Sequence, residues 1–468
     1  MNEGIVLIIL AAGLGKRMGT KLPKVAISTR QMPLITHVLY GISELKCDET
    51  IIVTGYQREL VKEIVLNSDI SKKLNIKFAV QEQQLGTGDA VKAALGVLKN
   101  SSGSVLILCG DTPLISSATL NELIKSHNTN QATVSLISFK SQIPNNYGRI
   151  IRETPGGRVK KIVEAKDCDE NQLLIEEANS GIYLVDLAFL APAIKELTNN
   201  NSQKEYYLTD ILERASAEGQ NINAMLLEQA NEVLGVNTNY DLHIVNKVLN
   251  MKTINKLIDK GVIFELAESC LIDDSVEIAS GVIIGAGCQI LGKTKIGANS
   301  RLEGNAFIKD SIIGSQCLIK FCVRIEETEI AANCSVGPFA NLRPLTVLEE
   351  SSKIGNFVET KKAKLGSGSK ANHLTYLGDC TVGKNSNIGA GTITCNYDGY
   401  AKYPTNIGSN VFIGSNTALV APLNIEDGAT IGAGSVITKK VEKDSLAFTR
   451  PPQVSKAGWS KNKRSKNS

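Results

Sequence analysis

Residues 278–308 read IASGVIIGAGCQILGKTKIGANSRLEGNAFI and carry an aliphatic residue at every sixth position: Ile278, Ile284, Ile290, Ile296, Leu302 and Ile308. The phase slips by one residue and resumes at Ile313, Ile319 and Ile325, then slips again to Ile330, Val336, Leu342, Leu348 and Ile354. It returns as Leu365, Ala371, Leu377, Val382 and Ile388, and closes with Ile407, Ile413, Leu419, Ile425, Ile431 and Ile437. Gly often follows the aliphatic position, as at 285, 297, 314, 366, 383, 389, 408 and 414. Each six-residue unit makes one short strand plus a turn, and stacking the units supplies a continuous core. The spacing predicts a parallel β-helix, with the aliphatic residue inward and a small residue four positions later sharing the narrow interior. Cys288, Cys317 and Cys334 fall at that small position and are read as core fillers rather than ligands or nucleophiles.

Working outward, the segment from Thr394 to Asn406 breaks the period and is expected to project as a loop, where function concentrates on rigid scaffolds. Upstream, Leu242, Val245, Val248, Leu249, Ile254, Leu257 and Ile258 recur at mixed three and four spacings, which predicts a linking helix. Before it, apolar strand-like runs (Ile5 to Leu10, Ile51 to Thr54, Val105 to Leu108, Thr133 to Phe139, Gly181 to Val185) alternate with helix-like stretches. That alternation predicts an α/β layer fold with a mostly parallel sheet, whose ligands sit at the carboxyl ends of the strands. The expected organisation is an α/β domain over 1–235, a linker helix over 236–260, a β-helix over 261–455 and a basic, disordered tail over 456–468.

Composition agrees with two folded bodies. Of 468 residues, 43% are hydrophobic and 21% charged, which excludes wholesale disorder; aromatics are only 5% against 40 Gly, as small-residue coils require. Lys456, Lys461, Lys463, Arg464 and Lys466 account for more than the formal net charge of +4, so the remainder carries −1. A basic tail can touch nucleic acid or an acidic surface, but a solvated end is the favoured reading, so no nucleic-acid partner is expected. Ile5 to Ala12 is too short to span a bilayer and lacks a basic leader, so no membrane insertion is expected. The ten Cys include no CxxC pair, which argues against zinc or a disulfide framework and for a cytoplasmic protein with reduced thiols.

Two stretches suggest chemistry. Leu10-Ala11-Ala12-Gly13-Leu14-Gly15-Lys16-Arg17-Met18 follows the first strand and precedes Leu22-Pro23-Lys24. Glycines there let backbone N–H groups approach phosphates, and Arg17 and Lys24 can neutralise a triphosphate; a glycine turn without a ligand is the alternative. Gln84-Leu85-Gly86-Thr87-Gly88 makes a second glycine loop, and Asp111, leaving a strand at Cys109-Gly110, is placed either to hold Mg²⁺ or to cap a turn before Pro113. In the second half, His373 lies within the periodic coils, whose outward positions need no imidazole. An imidazole of near-neutral pKa there suits a general base, a polar surface His being the alternative. His37, His127 and His243 fall in helix-like segments, where packing or surface roles prevail.

The ordered motifs LAAGxGxRM, LPK, QLGTG, GD-x-PL, YGRI, IVE-x-KD, N-x-GIY and GVN resemble the sugar-1-phosphate nucleotidyltransferases, and the coils resemble hexapeptide acyltransferases. End to end, apart from the last dozen residues, the chain resembles the bacterial bifunctional N-acetylglucosamine-1-phosphate uridylyltransferase and glucosamine-1-phosphate acetyltransferase family. The resemblance implies a Rossmann-like nucleotidyltransferase domain followed by a left-handed β-helix of hexapeptide repeats. It implies an enzyme that acetylates glucosamine-1-phosphate with acetyl-CoA, then couples N-acetylglucosamine-1-phosphate to UTP. The products are UDP-N-acetylglucosamine and pyrophosphate, the former serving peptidoglycan and lipopolysaccharide synthesis.

By the same resemblance, Leu10, Ala11, Ala12, Gly13, Arg17, Lys24, Gln81, Gly86, Thr87, Cys109, Gly110, Asp111, Gly148, Glu164, Asn179 and Asn237 line the UDP-sugar site, and Asp111 and Asn237 bind Mg²⁺. In the coils it implies His373 as base, Glu359 as its orienting carboxylate and Asn396 as a further catalytic group. Arg343, Lys361, Tyr376, Asn387 and Lys402 bind the sugar phosphate there. Ala390, Asn396, Tyr397, Ser415, Ala433 and Arg450 touch acetyl-CoA, the Tyr397 N–H being a candidate oxyanion donor, and a homotrimer is expected. Departures from the family pattern are Lys16, Cys109, Ser180 and Asn372, the last replacing a Gly whose freedom at positive φ the bulkier residue lacks. Two other readings are a different sugar nucleotidyltransferase with a regulatory solenoid, and a non-enzymatic scaffold subunit of the same two folds. Neither would be expected to keep Lys24, Asp111, Asn237, His373, Tyr376, Asn396 and Arg450 together.

Overall fold

The computed structural model describes residues 4–30, 32–99, 102–141, 146–228 and 230–464. Two compact units, up to Leu249 and from Asn250, each have their own core.

The first unit is built on β1 (Ile5–Ala11), β2 (Glu49–Thr54), β3 (Ile76–Val80), β4 (Ser104–Cys109), β5 (Val134–Lys140), β6 (Arg149–Arg152), β7 (Val159–Val163), β8 (Glu177–Asp186) and β9 (Ile222–Leu227). The main sheet runs β9-β5-β8-β4-β1-β2-β3. β1 is central and parallel to both neighbours, Ile8 pairing with Ile51 and with Ile107, so its aliphatic run is covered on both faces by helices. Only β8 runs antiparallel within this path, between β4 and β5, and β6 and β7 form an antiparallel pair beside it. The sequence reading of a mostly parallel sheet holds, but the reversal of β8 and the β6–β7 pair had no separate periodic signal. Because Leu10 pairs with Cys109, the loops leaving β1 and β4 emerge side by side.

The helix Asn239–Asp259 begins with a reciprocal cap: Thr238 Oγ1 accepts from the Asp241 N–H at 3.2 Å, and Asp241 Oδ2 accepts from the Thr238 N–H at 2.8 Å. Val245 and Leu249 are buried with Met18, Ile27 and Leu34, whereas Ile254 and Leu257 belong to the core of the second unit. Ile258, expected on the apolar stripe, is 44% exposed.

In the second unit the coils stack as parallel strands on three faces. On the first, Ile283 pairs with Arg301, 18 residues or three hexapeptides on. Where the phase slips, Arg301 pairs with Leu318 at 17. The inward series from Ile278 to Ile437 is buried throughout, and Cys288, Cys317 and Cys334 are buried as core fillers. The glycine after the inward residue has a direct cause: a Cβ on Gly297 would meet Gly314 C at 2.6 Å, and one on Gly383 would meet Gly408 C at 2.5 Å. Small hydroxyl residues turn the corners, where Thr294, Ser311, Thr328 and Thr346 form one buried ladder and satisfy backbone groups of neighbouring coils.

Asn387 pairs with Phe412, a coil of 25 residues, because the aperiodic segment projects as a small hairpin bridged between Tyr397 and Lys402. Beyond the coils, Trp459–Arg464 forms a short exposed helix rather than the open chain expected of the tail, with Lys463 Nζ 4.8 Å from the Trp459 ring centre. Among the described residues no helix is long and apolar enough to cross a membrane.

Gly383→Ala is expected to destabilise the second unit by about 1–3 kcal/mol, as overpacking against fixed backbone does. Hydrogen exchange should show the loss concentrated in the coils around Gly366 and Gly408 and leave the β1–β9 sheet unchanged.

Candidate active sites

The loops leaving β1 and β4 meet over Lys24. Its ammonium forms an ion pair with Asp111 and donates to Asn237 Oδ1 at 2.8 Å, and Arg17 donates to the same oxygen at 3.1 Å. Asn237 reaches this point because its own N–H and that of Thr238 are held by Asp241, while Val236 N–H donates to the Asp111 carbonyl at 2.9 Å. Two hard oxygens from distant parts of the chain thus converge on one cation.

Beside them opens a cavity of about 210 Å³ lined by Leu10, Thr87, Cys109, Asp111, Gly148, Glu164, Asn179 and Asn237 among others. β8 is bulged between Asn179, which pairs with Ser138, and Tyr183, which pairs with Leu136, with Gly181 at φ 79° in the irregular stretch. The Asn179 amide donates to Tyr183 Oη at 2.6 Å and its oxygen accepts from the Gly181 N–H. Glu164 accepts from Thr209 Oγ1 at 3.2 Å; burial raises its pKa, partly opposed by that bond. Burial, reinforced by Asp111, pushes the Cys109 thiol up to about 12, so this departure contributes a neutral wall rather than a nucleophile.

Of the other expected residues, Arg17 lines an adjoining hollow with Tyr147, Glu164 and Asn237. Ala11 and Ala12 are buried beneath the β1 loop, and Gly13 is exposed on it. The Gln81 amide is spent inside the protein, on the Gly86 carbonyl at 3.0 Å and Asp89 at 2.9 Å. Gly86, at φ 113°, tolerates no side chain because a Cβ would stand 2.6 Å from the Tyr206 carbonyl oxygen. Gly110 packs under Leu10 and Val25, and the Lys16 side chain lies outside the described residues. Tyr147, Tyr183, Leu208 and Thr209 also line the cavities but were not singled out; Tyr147, within YGRI, and Tyr183, closing N-x-GIY, had a motif to mark them.

In the second unit, Asn356, His373, Ala390, Ser415 and Ala433 each stand two residues past the inward position of the first face, so register places them in one corner column. Successive members are about 4.8 Å apart, the strand spacing. The column runs from an imidazole along small side chains to Arg450, which donates to the Ala433 carbonyl at 2.9 Å. The next face carries Arg343 and Lys361 in one row, followed by Gly378, and a Cβ there would meet Tyr376 Oη at 2.4 Å. Lys402, then Arg343, holds the Lys361 ammonium below the usual lysine range, the mark of cations gathered without enough acid. Asn387 lies apart from this cluster, on the first face between Lys370 and Phe412. Tyr397 is exposed on the hairpin.

Two expectations need correction. The Glu359 carboxylate is taken by Arg343 at 2.8 Å and, among the described residues, makes no hydrogen bond to His373, because the two stand on different faces. Asn372 lies in the extended strand Lys370–His373 and has no positive φ, so the freedom of a glycine is not required there.

The nucleotidyl transferase family model matches residues 6–253, and the hexapeptide repeat of succinyl-transferase matches 404–439. Fold and sites therefore define a nucleotidyl transferase joined to a hexapeptide-repeat transferase. Relatives called bifunctional protein GlmU align over nearly the whole chain: 43% identity in Trichlorobacter lovleyi and 42% in Pelobacter propionicus, each covering 98% of both sequences. The relative from Clostridium botulinum (strain ATCC 19397 / Type A) is 42% identical over 97% of both. The chain belongs to the bifunctional GlmU family.

Asp210, next to Thr209 at the rim, has its pKa raised to about 6 by burial and by Glu213. The folded state then binds more protons than the unfolded state between about pH 4 and 6, so this group's contribution declines as pH rises through that window. Asp210→Asn is expected to melt higher than wild type at pH 7.5 and to lose the advantage at pH 4, measured by thermal denaturation.

Proposed function

We propose that the chain acetylates glucosamine-1-phosphate on its coils and couples N-acetylglucosamine-1-phosphate to UTP in the first unit, releasing UDP-N-acetylglucosamine and pyrophosphate. For uridylyl transfer the supporting observation is the convergence of Asp111 and Asn237 oxygens on the Lys24 ammonium, beside a cavity of sugar size, which supports a cation site there. Those two hard donors fit Mg²⁺, which when bound would neutralise phosphate charge. Lys24 and Arg17 bring further positive charge to the phosphates. Glu164, Asn179 and Thr209 offer polar groups to the sugar hydroxyls. The sugar phosphate oxygen attacks the α-phosphorus in line and pyrophosphate leaves, so positioning and charge do the catalysis.

For acetyl transfer the supporting observation is the corner column. Ala390, Ser415 and Ala433 leave a path for the extended arm of acetyl-CoA that ends at His373. Arg343, Lys361 and Lys402 form the anion site for the sugar phosphate on the next face. The amine attacks the thioester carbonyl, His373 accepts the proton, and the C–S bond breaks to release CoA.

The acetyl site is completed by neighbouring copies in a homotrimer. Phe339, Phe357 and Leu374 hold positive φ at the corner beside the His373 column, where other coils have Gly287, Asn305 or Gly391, and all three are exposed. Such residues are costly at left-handed φ, so an exposed apolar ridge of them favours a role in contact. The ten free cysteines suit a reducing compartment such as the cytoplasm.

Asp111→Ala should abolish uridylyl transfer and spare acetylation, while His373→Ala should lower acetylation by about 10² to 10⁴ and spare UTP coupling. Product analysis by mass, with each reaction assayed separately, checks both; parallel loss of the two activities in either folded variant refutes the division. His373→Ala and Asn396→Ala chains mixed under subunit exchange should regain part of the acetyl transfer. A fully active monomer by light scattering refutes the shared site.

A further inference from the structure

Asn396 is buried at the base of the hairpin, with its backbone fixed on both sides: its N–H donates to the Thr394 carbonyl and its own carbonyl accepts from the Tyr403 N–H, each at 2.9 Å. A buried amide must have its polar atoms matched. One partner is Asp379, whose Oδ2 accepts from Asn396 Nδ2 at 2.5 Å. Asp379 lies where the long strand Tyr376–Val382 turns from one face to the next, and it holds φ 46°, a conformation that Asp tolerates better than most residues. The preceding Gly378 donates its N–H to Thr394 Oγ1 at 2.8 Å, which ties the two coils together at this point.

An ionised carboxylate accepts hydrogen bonds but donates none, so it dictates the rotation of the amide facing it. With NH₂ turned to Asp379, Asn396 Oδ1 is left as an acceptor. The geometry points to Asp379 as a positioning residue for acetyl transfer: it locks Asn396 so that Oδ1 receives an N–H of the attacking amine and aims the nitrogen lone pair at the thioester carbon. This rests on the acetyltransferase reading above and extends it to a residue outside the substrate contacts. With the amide reversed, an NH₂ group would face the amine, donor against donor, and the nucleophile would lose its alignment. Asp379 itself neither touches the reacting atoms nor takes a proton; the proton passes to His373 as before.

The test uses the full-length protein with Asp379→Ala, Asp379→Asn, Asn396→Asp and the exchanged pair Asp379→Asn/Asn396→Asp. Initial rates are taken against glucosamine-1-phosphate and acetyl-CoA separately, and UTP coupling by the same preparation reports folding. Asp379→Ala and Asp379→Asn are expected to lose about tenfold or more in kcat/KM for the amine, the scale of one charge-assisted hydrogen bond. The exchanged pair restores both the donor-to-carboxylate bond and an acceptor toward the amine, so it should regain most of what Asp379→Asn loses. A structural role alone would not produce that rescue. Wild-type kinetics in Asp379→Asn, or an exchanged pair no better than Asn396→Asp alone, overturns the assignment while leaving the acetyltransferase reading intact. Absence of acetyl transfer in the wild-type protein overturns both.

Discussion

Everything in the second unit depends on the close stacking of one coil on the next. The hydrogen-bonding distance between parallel strands leaves no room for a side chain where the backbone turns after the inward residue. Gly297 over Gly314, and Gly366 over Gly383 over Gly408, are consequences of that distance. The same constraint makes the interior narrow, so it is filled by one aliphatic residue per strand and mostly by Ser, Thr, Cys, Ala or Val at the corners. It also makes columns: residues a whole coil apart in sequence become neighbours about 4.8 Å apart. His373, Ala390, Ser415 and Ala433 share a corner for this reason alone.

The first unit solves a different problem, bringing like and unlike charges together near the ends of β1 and β4. Lys24 would be poorly placed as an isolated, partly buried cation, and Asp111 equally so as an anion. Paired, with Asn237 as a third member, each offsets the desolvation of the other. The Asp241 carboxylate that holds the Asn237 backbone also caps the following helix, so one acid serves both the start of that helix and the position of the amide.

The coils were legible because their constraint repeats. Every inward residue from Ile278 to Ile437 reports the same geometry, and even the one-residue slips reappear as the 17-residue pairings. The sheet of the first unit was legible in outline, since β1 and β4 are continuous apolar runs. The direction of β8 was not, because a strand buried on both faces reads alike in either direction. Within the sites, residues embedded in a motif such as Asp111 or Gly86 drew notice from sequence. Leu208 and Thr209 reach the cavity from a distant segment outside those motifs, which no local spacing encodes. The assignment of Glu359 to His373 went astray because one coil on from Glu359 stands Tyr376, whereas His373 stacks on Asn356 on a different face.

The hairpin between Tyr397 and Lys402 lengthens one coil to 25 residues, yet Ile388 still pairs with Ile413 and Val382 with Ile407. The stack records only where a segment leaves and returns, not what it does in between. A corner is therefore a port at which new sequence can enter without renegotiating the scaffold. Variation in substrate choice among such proteins can accumulate in these excursions, while the rungs beneath them stay under a separate and much stricter rule.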